Sequence, residues 1–160
     1  TVFRTIAKLN SSELHIAENI NFPDYKCELQ GDYQKKNLKT VLTVVSLLQV
    51  HFSISKKDIE RGLLNVSKNT GLKGRWQVLN EKPFVVCDTA HNEHGLKLVL
   101  EQLTGLKYNS LHIVLGVVND KDLDKILPLF PKDAKYYFCS PNVSRGLGVE
   151  VLEEKAAEEK

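Results

Sequence analysis

The chain has 160 residues, 42% of them apolar and 26% charged, with a formal net charge of +2. That length suffices for one domain of ordinary size, and the composition excludes collagen-like, low-complexity and disulfide-scaffold proteins. Basic residues are scattered among acids, so no electrostatic footprint for DNA or RNA is present. The three cysteines, Cys27, Cys87 and Cys139, are odd in number and far apart, unlike a disulfide framework, and a reduced, cytoplasmic protein is expected. The longest apolar run, Val41 to Val50, is interrupted by Thr43, Ser46 and Gln49 and is too short to span a bilayer. No signal-peptide pattern is seen. The chain opens on Thr1 rather than Met and stops abruptly on Glu-Glu-Lys, from which a fragment is expected.

In chain order, Val2-Phe3-Arg4-Thr5-Ile6-Ala7 and Glu13-Leu14-His15-Ile16-Ala17 alternate as short strands around a turn at Asn10-Ser11-Ser12, and Tyr25 to Leu29 is a third candidate strand. Leu38, Val41, Leu42, Val45 and Leu48 fall at helical spacing, which predicts a helix from about Lys35 to Val50. Ser55 with Asp58 three residues on is a capping-box variant, opening a second helix from about Lys56 to Asn65. Asn69 to Gly74 is the best linker signal. Beyond it, strands at Arg75–Leu79 and Phe84–Cys87, joined by a hairpin-length turn at Asn80-Glu81-Lys82-Pro83, precede a helix at Glu93–Leu103, a buried strand at Leu111–Val117 and a short helix from Lys121 to about Leu127. A strand at Lys135–Cys139 and an acidic helix at Val149–Glu159 complete the series. Alternating β and α elements with short loops imply a three-layer, mostly parallel, Rossmann-like α/β sheet. The Phe84–Cys87 run reads as a buried parallel strand of that sheet.

Asp88 stands where that strand ends and a helix begins. There an acid either accepts backbone N–H bonds as a cap or receives the donors of a ribose diol at the edge where open α/β sheets hold ligands. Arg75, after Gly74, is either a surface arginine or a two-pronged phosphate ligand. Asn37, on the first turn of a helix, is either a capping or solvated residue or a partner for the donor and acceptor edge of adenine. His91 is either a solvent-facing helix-start residue or one that positions substrate. A further reading groups Cys87, His91 and His94 as metal ligands, but no fourth ligand is evident and the two histidines stand only three residues apart, so no metal site is assigned. The sequence contains no G-x-x-x-x-G-K-[ST] phosphate loop.

Gly31-Asp32-Tyr33-Gln34-Lys35-Lys36-Asn37, then Gly74-Arg75-Trp76, then Asp88-Thr89-Ala90-His91-Asn92, in this order and at these distances, resemble the folylpolyglutamate synthase / dihydrofolate synthase branch of the Mur ligase family. The resemblance runs from about Leu29 to the end and covers only the C-terminal half of such an enzyme. It implies residues 1–70 as the remnant of a central ATPase domain and 71–160 as a Mur-ligase-like C-terminal domain cut short at its end. It further implies an ATP-dependent ligase that adds L-glutamate through an acyl phosphate, either to folate alone or to dihydropteroate as well, with the fragment alone inactive. Asn37, Arg75 and Asp88 would hold ATP at its base, phosphates and ribose, and His91 would lie at the ligase site. Mg2+ is expected with its ligands outside the fragment, as is the ATPase domain that completes the protein, and the full-length ligase is expected to be a monomer. The sequence departs from the family at Glu93, where proline is usual. Val117 to Asp122 resembles a family Asp-Lys-Asp segment, and Ser140-Pro141 with Arg145 another family loop, neither assigned direct catalysis. Two other readings stay open: a Mur-type ligase of cell-wall precursors, and a noncatalytic Rossmann-like interaction module.

Overall fold

The computed structural model describes residues 2–159, and the chain divides into two compact units with the boundary between Gln77 and Val78. The first unit holds α1 (Val2–Leu9), a 3-10 turn (Ala17–Asn19), α2 (Gln34–Leu48), α3 (Lys56–Leu63) and α4 (Val66–Thr70). Among the described residues before Gln77 there is no strand. The hairpin expected near the N-terminus is therefore corrected: its first strand is the helix α1, its second, at 13–17, is irregular chain leading into the 3-10 turn, and the third strand expected at 25–29 is irregular chain. The reason lies in a double periodicity: Val2, Phe3, Ile6 and Leu9 also recur at helical spacing. A two-stranded hairpin with no third strand is marginal, whereas a helix closes its hydrogen bonds internally.

The segment before α2 is nevertheless tied down. The Glu28 amide donates to the Leu63 carbonyl (2.9 Å) and its carboxylate accepts from the Ser67 amide (2.9 Å), pinning it where α3 gives way to α4. The expected capping box is present, with Ser55 Oγ accepting from the Asp58 amide (3.2 Å) and Asp58 Oδ2 from the Ser55 amide (3.0 Å). The predicted linker is helical as far as Thr70. Gly71 then ends α4 in the left-handed region (φ 71°), the usual glycine stop.

The second unit runs β1 (Gln77–Glu81, its first residue on the other side of the boundary), β2 (Phe84–Cys87), α5 (Glu93–Thr104), β3 (His112–Leu115), α6 (Leu123–Ile126), a 3-10 turn (Leu127–Leu129), β4 (Lys135–Phe138) and α7 (Val149–Glu158). β3 and β4 pair in parallel, from His112 opposite Lys135 to Leu115 opposite Phe138. The intervening α6 makes this a βαβ crossover, and α7 packs on β4. Leu96, Leu100 and Ile126 form the core, joined by Ala90, Leu103, Val117, Leu123, Leu129 and Phe130. Leu96, Leu100 and Leu103 are spaced to share one face of α5. Leu152 of α7 is completely buried.

Two strands differ from expectation. β2 pairs with β1, closing a hairpin at Lys82-Pro83, and Phe84 and Val85 are exposed, so it is not a buried member of the parallel pair. β3 alternates instead of being buried throughout: Ile113 and Leu115 turn inward while Val114 is 73% exposed. Period-2 alternation is what a strand covered on one face shows. Among the described residues no helix is long and apolar enough to cross a membrane.

Candidate functional site

In the first unit, α2, α3 and α4 enclose an open cleft of about 650 Å³. Its walls are chiefly aliphatic, including Leu38, Val41, Leu42, Ile59 and Leu63, and Gln34, Asn37 and Arg75 bring polar groups to it. The polar part is built by the turn into α2. The Gly31 carbonyl accepts from the Gln34 amide (2.8 Å). A side chain at Gly31 would displace the Tyr33 ring, because its Cβ would stand 2.6 Å from it. Gln34 is buried, and its Oε1 accepts from Asn37 Nδ2 (2.9 Å). The Asn37 amide is thus held in place with one donor used and the rest of its hydrogen-bonding capacity left for another partner.

Arg75 is set by the backbone on either side of it. Gly74 (φ 66°) and Trp76 (φ 48°) both lie in the left-handed region. That conformation is natural for glycine and an outlier for a bulky residue. Burial of Trp76 holds the turn, and the Gly74 amide donates to Gln77 Oε1 (3.0 Å). Arg75 Nη1 donates to the Gly74 carbonyl (3.1 Å), so the guanidinium curls over its own turn. Non-glycine residues in such conformations concentrate at functional sites.

In the second unit, Asp88 and His91 sit in the turn between β2 and α5. Asp88 Oδ1 accepts from the Ala90 amide (2.8 Å), an Asx turn that shapes the strand exit. Capping of α5, one of the two roles read for Asp88, belongs instead to Asn92, whose Oδ1 accepts from the Gly95 amide (2.8 Å). Gly95 suits this closure, since a Cβ there would press on Asn92 Oδ1 at 3.1 Å. His91 is exposed, and its Nδ1–H donates to the Thr89 carbonyl (3.0 Å). That bond orients the ring and leaves Nε2 outside it. Glu93, at the position where proline is usual in the family, binds Lys97 (2.6 Å), and this hydrogen bond holds its carboxyl below the usual range. Cys87, His91 and His94 do not form a metal cluster: among the described residues no group of three or more His, Cys, Asp or Glu is arranged to hold an ion.

The loops leaving β3 and β4 form a third feature. Arg145 Nη1 donates to Asp120 Oδ2 (2.9 Å). The Asn119 amide donates to the Arg145 carbonyl (2.9 Å) and the Leu147 amide to the Val117 carbonyl (3.0 Å), around an antiparallel bridge between Val118 and Gly146. Sequence reasoning placed Asp120 and Arg145 in separate loops and missed both this pairing and the role of Gln34. The available signal was opposite charges just beyond two successive strands of a βαβ unit. Asn37 and Arg75 therefore line one cleft of the first unit, and Asp88 and His91 share one turn of the second.

The Mur ligase, glutamate ligase domain family matches residues 74–160. A relative from Haloferax volcanii named as a probable bifunctional folylpolyglutamate synthase/dihydropteroate synthase is 33% identical over 129 residues, 81% of this chain and 15% of its own length. The Mycobacterium tuberculosis folylpolyglutamate synthase complexed with ADP and AMPPCP superposes with a TM-score of 0.73 at 27% identity, covering 86% of this chain and 30% of that one. A bifunctional folylpolyglutamate synthase/dihydrofolate synthase with Mn, AMPPNP and L-glutamate bound gives 0.62 at 26% identity, covering 84% and 30%. The chain thus spans less than a third of the length of each of these relatives. With the motif set in order, a fold shared with these ligases and more than half its residues matched by the domain family, the chain belongs to the Mur ligase family.

Proposed function

We propose that this chain is the C-terminal part of an ATP-dependent ligase that adds L-glutamate to folate. The observation that carries the reading is the cleft lined by both Asn37 and Arg75, in a chain whose relatives are folylpolyglutamate synthases, one of them complexed with ADP and AMPPCP. Apolar walls with a few convergent polar groups suit a purine with its phosphates. Asn37 reads the base edge and Arg75 pairs with phosphate oxygens. Asp88, at a strand end, receives the ribose hydroxyls. His91, its ring fixed through Thr89, lies near the incoming substrate.

In the reaction, a folate carboxylate oxygen attacks the γ-phosphorus of ATP and ADP departs, leaving an acyl phosphate. The glutamate amino nitrogen then attacks the acyl carbon, expels phosphate and loses a proton, forming the amide. Such chemistry depends on positioning and charge neutralisation more than on a protein nucleophile. A divalent ion accompanying ATP is assigned to the remainder of the ligase, as are the phosphate loop and the folate pocket. Closure of the remainder over these residues would complete the site.

The test is glutamate addition by the full-length protein to folate and to dihydropteroate in separate assays, together with rescue of a folate-ligase-deficient host. Incorporation with folate supports the proposal, and incorporation with dihydropteroate as well makes the enzyme bifunctional. Addition of an amino acid only to a cell-wall precursor would transfer the chain to another branch of the family.

A further inference from the structure

The loops that follow β3 and β4 lie at the C-terminal edge of a parallel strand pair, the edge where open α/β sheets hold ligands. They are joined twice. The backbone joins them through the Asn119 and Leu147 amides on either side of the Val118–Gly146 bridge, and the side chains join them through Asp120 and Arg145 at 2.9 Å. The path of the second loop is constrained, because a Cβ at Gly146 would collide with the Pro141 carbonyl oxygen. The path of the first is constrained at Gly116, where a Cβ would stand 2.8 Å from Cys139 Sγ and 2.9 Å from the Cys139 carbonyl. Asp120 also lies 3.5 Å from Lys121 Nζ, so one carboxylate spans a cation on each loop. Without it the two cations would face each other across the rim.

We propose that Asp120 and Arg145 are a positioning pair that latches the β3 and β4 loops into a single rim, so that the two respond to ligand as one body. A bridge of two backbone bonds between exposed loops opens readily by itself, and the ion pair clamps it at the point where it opens. Carrying two cations and one carboxylate, the rim suits an anionic group of a substrate, a carboxylate or a phosphate. This part of the inference rests on the ligase reading above, whereas the latch itself does not.

The experiment uses the full-length protein with Arg145→Ala, Asp120→Ala and the exchange Asp120→Arg with Arg145→Asp. In amide hydrogen exchange, each single substitution should quicken exchange at both Asn119 and Leu147 by about fivefold, the range of an exposed ion pair, and the charge exchange should restore both. Quickening confined to the substituted loop, or none at all, overturns the latch. In steady-state assays the single variants should raise one KM by a similar factor, with kcat at saturation and the thermal midpoint unchanged. The affected substrate, glutamate or ATP, tells whether the rim serves a carboxylate or a phosphate. A fall in kcat and midpoint with every KM unchanged marks a merely structural pair and overturns the positioning role. If the unaltered protein adds no glutamate, the ligase reading has failed, and the exchange rates still decide the latch.

Discussion

The first unit buries Leu42, Leu63 and Trp76 but leaves Phe3 79% and Val50 81% exposed, and it contains an open aliphatic cleft. The second gathers Leu96, Leu100 and Ile126 into one cluster and encloses Leu152 entirely. The units thus differ in degree: the second also leaves Val114 and Phe84 exposed, but it gathers more of its apolar side chains into one buried cluster. Apolar surface of the first kind marks an interaction site, which agrees with a chain that spans less than a third of its relatives. The second unit carries enough core to hold its loops in place.

The largest effect that could break this contrast is functional. The 160-residue chain alone should show no ATP-dependent glutamate addition, while the full-length protein does. Turnover by the isolated chain, measured with labelled glutamate, would remove the argument that the first unit is completed elsewhere. Next comes a pair of truncations compared by urea unfolding. Leu152→Ala, at the fully buried position, should cost about 2–5 kcal/mol, whereas Val50→Ala should stay within about 0.5 kcal/mol. Equal effects would mean that the two units do not differ as described. Gly74→Ala forces a side chain onto a left-handed residue and should cost about 1–2 kcal/mol by the same measurement, with a loss of nucleotide affinity because Arg75 is displaced. No change in either would show that the turn does not set the arginine.

The smallest effect concerns the α3 cap. Hydrogen bonds from Ser55 hold the Asp58 carboxyl below its usual range. A depressed folded value means that the stabilisation is present above the ordinary carboxylate pKa and is lost as pH falls through the lower, folded one. Ser55→Ala should therefore lower the urea midpoint slightly at pH 7, and the difference should shrink on the acid side of pH 3.8. A difference that grows on acidification would contradict the cap.

Legibility in the sequence divides along similar lines. α2, α3 with its capping box, α5, β3, β4 and α7 announce themselves, because long runs of one periodicity and local cap chemistry depend on few distant partners. α1 did not, since its apolar residues fit two periods and tertiary context decides between them. β2 was recognised as a strand, and the hairpin-length turn before it pointed to β1 as its partner, but its place in a buried parallel sheet was not borne out, because a short apolar run carries no record of what covers it. Asn37, Arg75, Asp88 and His91 stand out in the sequence as members of an ordered motif. Their immediate partners were less visible: Gln34 under Asn37 and Asn92 as the α5 cap are local, yet the Asp120–Arg145 pair joins residues 25 apart, a contact that exists only once the crossover has folded.

The central claim, that the cleft of the first unit grips the nucleotide through Asn37 and Arg75, is tested most directly by calorimetric titration of ATP into the full-length protein and its Asn37→Ala and Arg75→Ala variants, with folate titrated in parallel. The account predicts ATP affinity weakened about tenfold to a hundredfold by Arg75→Ala, the range for a hydrogen bond to a charged group, less by Asn37→Ala, and folate affinity unchanged. ATP affinity equal to that of the unaltered protein in both variants would contradict it.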